Sequence, residues 1–256
     1  MRSFHFWLKV SRPHHALAAG FATYVAALLS DGHTWFDQVK IAAPFVIILG
    51  VIGASLFHYG GARDIYARKV RDRIDVENPD QLMRLGGVAL NHAVMIAFFT
   101  LPFAGVAITM FNAIGIVFYT KVLSRFWLTK NLMIAAICTT PVLLGWAVGH
   151  RVSPSIPWAI ATVFTSIWAR EILKDVADIV ANEGRRVTLP IKFGVAHARQ
   201  IAGVLLLASL LFIIFVVSQA GFQKSVSTTL FSILALALLS FASSSLLVRA
   251  ASERRW

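Results

Sequence analysis

The chain has 256 residues, of which 57% are hydrophobic and only 14% charged, and its formal net charge is +12. A soluble domain of this size carries about a quarter charged residues; here long apolar runs alternate with short charged clusters, which sets a water-soluble globular fold aside in favour of a multi-span membrane protein. The runs are continuous rather than alternating with period two, which argues against a β-barrel, and the basic residues lie at run ends, where membrane topology explains them without a nucleic-acid partner.

The N-terminal stretch MRSFHFWLKVSRPHH is polar and basic, and no small-residue cleavage pattern follows it, so the first span is expected to be retained. Eight apolar spans follow in chain order, at 14–30, 41–59, 85–101, 103–120, 131–148, 154–170, 198–219 and 226–248. With no water in the bilayer core, each must satisfy its backbone internally, and runs of this length do so as helices. Pro102 separates the third span from the fourth, because proline lacks an amide donor and disfavours helix in the residue before it. A very tight turn is expected there, against the alternative of one long kinked helix. The single cysteine, Cys138, falls inside the fifth span, which excludes an internal disulfide and reads as a small buried thiol. The whole reads as one all-α, integral-membrane domain over 1–256.

Lysine and arginine fix the expected orientation. Twenty-one of the 24 lie in one alternating set of segments, and only Lys40, Arg151 and Lys224 lie in the other. The positive-inside rule then places both termini in the cytoplasm. Nine of the 12 acids crowd into two loops on that same side, 60–84 and 171–197.

These loops carry the candidate chemistry. If the helix continues past the second span, Asp64, Arg68, Asp72 and Asp75 recur at i, i+4, i+8 and i+11 on one face. Glu171, Asp175, Asp178 and Asn182 follow the sixth span at i, i+4, i+7 and i+11, again on one face. Oxygen-rich stripes at one end of a bundle suit magnesium, which binds through one or two carboxylates plus substrate phosphates. Nearby lysines and arginines would neutralise the remaining phosphate charge, and the apolar bundle would accept a hydrocarbon tail. The plain alternative is that Asp64–Arg68 and Arg68–Asp72 are ordinary helix-stabilising pairs on a solvated face.

The stretches VSRPHHALAAG, RDRIDVENPD, TKNLMIAAICTT and, above all, REILKDVADIVANEGRRVTLPIKFG resemble the UbiA superfamily of intramembrane prenyltransferases over nearly the whole chain. The resemblance implies a helical bundle enclosing a lateral cavity, and magnesium-assisted transfer of an allylic prenyl group from its diphosphate to a lipophilic acceptor within the lipid bilayer. Matched to that family's signatures, Asp72, Asp175 and Asp178 are expected to hold metal and carry catalysis. Asp64, Arg68, Lys69, Lys130 and Lys174 are expected around the diphosphate, and His58, Tyr59, Asn91 and His92 near the acceptor or cavity.

The match departs from the family at defined places. Anchored on Asp72, the first signature has Ile65 and Arg68 where acids belong. In the second, Asn182 stands for the closing acid and the loop is one residue short before TLP. A guanidinium can bind phosphate directly and in bidentate fashion, so Arg68 is expected to replace a metal, or else merely to pair with its acidic neighbours. Two further readings stay open: a terpene cyclase of the same superfamily that needs no acceptor, and a non-catalytic member binding lipid or a partner protein.

Overall fold

The structure is a computed structural model that describes residues 4–31, 38–63, 76–149 and 154–219. Every regular element among them is helical. In chain order they are α1 (Phe4–Ser11), α2 (Pro13–Asp31), α3 (Gln38–Gly61), α4 (Pro79–Thr100), α5 (Phe103–Lys121), a short 3-10 turn at Leu123–Arg125, α6 (Trp127–Val148), α7 (Ile156–Ala177), α8 (Ile179–Asn182), α9 (Leu189–Phe193) and α10 (Val195–Gln219). Five of these, α3, α4, α5, α6 and α10, are long and apolar enough to cross a membrane. The first seven expected spans all fall on helices, and the eighth, 226–248, lies outside the described residues.

Local sequence explains where the helices begin and end. Asn78 caps α4 by accepting the Gln81 amide at 3.0 Å, with Pro79 at the first helical position, where its missing donor costs nothing. The same helix stops at Thr100. Leu101 is extended (φ −110°, ψ 155°), and Pro102 (φ −64°, ψ 160°) already caps α5. The expected tight turn is therefore present and the single kinked helix is not. Between α1 and α2, Arg12 adopts a left-handed φ of 49°, uncommon for a residue with a side chain. Gly194 (φ 86°) turns the chain from α9 into α10, a conformation that glycine takes without steric penalty.

The helices gather into two compact units, residues 1–125 with 139–153 and residues 126–138 with 154–256. The first contains α1 to α5 and the C-terminal part of α6. One of its cores packs Ala43, Val46 and Ile47 of α3 with Ala93 and Ala97 of α4 and Leu144 of α6. Small residues let the backbones meet, as in other membrane helix pairs. A Cβ added to Gly86 of α4 would lie 2.5 Å from the Phe57 amide nitrogen and 2.6 Å from the Gly53 carbonyl oxygen, both in α3. A second core joins Val10 of α1 to Leu56 and Tyr59 of α3 and Leu82 of α4. Across α5 and α6, Asn112 and Thr140 exchange hydrogen bonds of 2.7 and 3.0 Å.

The second unit is built on α7 and α10, with the start of α6 and the short helices α8 and α9. Ala169, Ile172 and Val176 of α7 pack with Leu189 of α9 and Ala198 and Ala202 of α10. Further along, Trp158 stacks on Phe215, ring centroids 4.7 Å apart. Cys138 corrects one expectation: its side chain is exposed, not buried. In a membrane helix, apolar neighbours in sequence mark lipid-facing positions as readily as protein-facing ones, because lipid tails are as apolar as leucine.

Candidate active site

The charged end of α7 gathers the buried ion pairs of the second unit. Helix α7 runs seven residues past the apolar span 154–170, so Glu171, Lys174 and Asp175 are helical. Glu171 and Asp175, one turn apart, are both buried, at 4% and 3% exposure. Burying a carboxylate is expensive unless it is paired and hydrogen-bonded, and both are. Lys174 donates to the two oxygens of Glu171 at 2.9 Å each, and Arg170 reaches the same carboxylate at 3.5 Å.

Asp175 is held from another helix. The Lys130 ammonium, in the first turn of α6, sits 2.5 Å from Asp175 Oδ1. Its neighbour Asn131 donates from Nδ2 to Asp175 Oδ2 at 3.2 Å. Lys130 also donates to Asn131 Oδ1 at 2.9 Å, which closes a ring of three side chains. Lys130 and Asn131 are 4% and 1% exposed. Asn131 has no assigned role in the sequence, although it belongs to the TKNLMIAAICTT stretch that resembles the family.

The stripe does not continue unbroken. Asp178 ends α7 with φ −102° and ψ 20°, near the sparsely populated bridge region where many active-site residues lie, and the four-residue α8 then carries Asn182. The i+11 spacing is thus spread over two short-range directions instead of one helical face. Asp178 is half-buried and Asn182 buried.

In the first unit the structure gathers different residues. Tyr59 is buried, and its hydroxyl oxygen accepts from Arg12 Nε at 2.8 Å, with the guanidinium carbon 5.1 Å from the ring centroid. His58 is half-buried, its Nδ1 lying 3.2 Å from Thr120 Oγ1 and its ring against Tyr119. Asn91 and His92 are exposed on α4, and His92 Nδ1 turns back on its own helix to the Val88 carbonyl at 2.8 Å. Asp64, Arg68, Lys69 and Asp72 lie outside the described residues.

The fit to magnesium follows from the donor set. Among the described residues no three His, Cys, Asp or Glu side chains are grouped to hold a metal. Both oxygens of Asp175 already accept from α6 and those of Glu171 from Lys174. Further oxygen donors at this helix end are Asp178, half-buried, and, one turn on, Asn182. This set fits a magnesium held mainly by substrate phosphates and water, the ion's usual habit, and does not fit one caged by these residues alone.

An all-α membrane protein of several spans, with paired buried charges at one helix end, is the class these features define. Comparison with known proteins places it further. The family model described as the UbiA prenyltransferase family matches residues 70–256; the chain belongs to that family, and prenyl transfer is its enzyme class. It is 24% identical over 213 residues to digeranylgeranylglyceryl phosphate synthase of Methanococcus vannielii, covering 79% of this chain and 73% of the relative. To the enzyme of the same name from Halobacterium salinarum it is 28% identical over 207 residues, covering 76% and 71%. Among solved structures, a UbiA homolog from Archaeoglobus fulgidus bound to DMAPP and Mg2+ superposes with a TM-score of 0.73 at 13% identity, covering 98% of this chain and 88% of the homolog. The apo UbiA homolog from Aeropyrum pernix K1 gives 0.74 at 15% identity, covering 93% and 90%.

Proposed function

We propose that this chain transfers a prenyl group from a prenyl diphosphate to the hydroxyl of a lipophilic alcohol, at the charged end of α7. The observation that carries the reading is the two ion pairs there, the buried Lys130–Asp175 and the pair of buried Glu171 with half-buried Lys174, next to the half-buried Asp178. Ammonium groups held in place by carboxylates can bind phosphate oxygens, and a family that handles diphosphates gives them a use. The names of the relatives favour a glyceryl lipid phosphate as acceptor.

In the reaction the bond between the allylic carbon and the diphosphate oxygen breaks, with its electron pair leaving on diphosphate. A carbon–oxygen bond forms to the acceptor hydroxyl, whose proton is lost to solvent. Magnesium, when bound, neutralises charge on the diphosphate. Asp178 is the described carboxylate that would hold it, assisted by Asn182, and Asp72 is its counterpart by sequence alone. Lys130 and Lys174 supply cations for the diphosphate. Placement of this end in the cytoplasm is supported by the lysine and arginine distribution.

The test is purified protein in lipid nanodiscs, supplied with magnesium and prenyl diphosphates of several chain lengths, with and without a glyceryl lipid phosphate. Pyrophosphate release that requires the acceptor, yields a prenyl ether and disappears with EDTA is expected. Cyclised hydrocarbon formed without acceptor would replace this reading with a terpene cyclase. Tight diphosphate binding with no turnover for any acceptor would point to a non-catalytic member.

A further inference from the structure

The ring at the start of α6 carries an assignment that differs from the one its sequence invites. Asp175 lies in the acid-rich stripe and would be taken for a metal ligand. Its surroundings are those of a different part. It is 3% exposed, and each carboxylate oxygen already accepts from a different residue of α6, Oδ1 from the Lys130 ammonium at 2.5 Å and Oδ2 from the Asn131 amide at 3.2 Å. Lys130 and Asn131 are themselves joined at 2.9 Å, so the ring satisfies Asp175 without outside help. A divalent cation on either oxygen would sit beside the lysine ammonium, and the like-charge repulsion would be strong in a buried site.

Its two acidic neighbours behave otherwise. Glu171, one turn earlier, takes its hydrogen bonds from Lys174 of its own helix. Asp178 is more open than Asp175 and lies at a helix end. The Asp175 contact fastens the first turn of α6 to α7 by hydrogen bonds, beside the packing of Trp127 against the α7 core.

We propose that Asp175 is a positioning residue, which fixes the Lys130 ammonium and Asn131 for diphosphate binding, while the metal falls to Asp178. The proposal rests on the prenyl-diphosphate reading above. An anchored ammonium meets the diphosphate without first being ordered, so the benefit shows in binding. Lysine alone has a flexible four-carbon stem and loses much rotamer freedom on binding; the ring removes that freedom beforehand.

The test uses the full chain in nanodiscs, with inorganic pyrophosphate and Mn2+ as probes, the ion followed by electron paramagnetic resonance and pyrophosphate by calorimetry. Asp175→Asn is expected to weaken pyrophosphate binding about ten-fold, in the range seen for lost orienting partners, while half-saturation by Mn2+ at saturating pyrophosphate stays within about two-fold of the parent. Asp178→Asn is expected to do the reverse. Asn131→Ala, which keeps both charges, serves if Asp175→Asn does not fold, and should show the same selectivity in smaller measure. The Asp175→Asn, Lys130→Met double variant should bind pyrophosphate no worse than Lys130→Met alone, since a positioning residue has nothing left to position. Mn2+ half-saturation shifted as far by Asp175→Asn as by Asp178→Asn overturns the proposal, as does unchanged pyrophosphate affinity. If the parent protein binds no pyrophosphate, the transfer reading falls and this inference with it.

Discussion

Asp178 and Arg68 are the residues on which the proposed chemistry turns. Asp178 sits half-buried where α7 breaks. Asp178→Asn should lower kcat/KM for prenyl transfer on the order of a hundred-fold, the scale for losing one group that stabilises developing charge, and should raise the magnesium concentration needed for half-maximal rate. A variant with unchanged magnesium dependence would remove Asp178 from the metal. For Arg68 the sequence supports a cation taking the place of a metal ligand; Arg68→Asp should then reduce magnesium-dependent turnover, and an increase would show that the arginine only pairs with its acidic neighbours. At this scale the sequence exposed the acids, because their spacing repeats, and hid the ring. Lys130 and Asp175 are 45 residues apart, and no local pattern tells which of several lysines a buried carboxylate will choose.

Among elements, the α3–α4 pair tests the packing most directly. Gly86→Leu drives a side chain into the Phe57 amide and the Gly53 carbonyl, which are backbone and cannot rotate away. A loss of at least about 1–3 kcal/mol is expected, the usual scale for overpacking, read as a lower thermal transition in detergent; an unchanged transition would mean that the two helices are not held at this distance. The reach of the helices was only partly legible beforehand. Apolar length and Pro102 located the spans and the turn, because hydrophobicity and a missing amide act locally. The spacing from Glu171 to Asn182 predicts one continuous face, whereas α7 ends at Ala177 and breaks at Asp178. Hydropathy reports where lipid ends, and a helix stops only where its backbone finds other partners.

At the level of the whole molecule the remaining question is which side faces the cytoplasm. In a Cys138→Ser background, single cysteines at the exposed positions Glu77 and Glu183 should escape a membrane-impermeant maleimide in intact cells and react after permeabilisation. A cysteine at the exposed Gln38 should react in intact cells. Labelling of Glu77→Cys from outside would reverse the orientation. Class and family were readable from the sequence because they depend on composition and on one long matched segment. The partnership of α6 with α7 was not, since it is a tertiary choice made by side chains.

The junction at Leu101 and Pro102 also bears on how the protein is made. Two extended residues span about 7 Å, against a hydrocarbon layer of about 30 Å. The end of α4 therefore cannot reach the far side of a bilayer unless the start of α5 arrives with it. There is no polar connector to be translocated between them, and each helix supplies apolar surface that offsets the passage of the other's end. The two helices are therefore expected to enter the bilayer as one hairpin rather than as two separate spans.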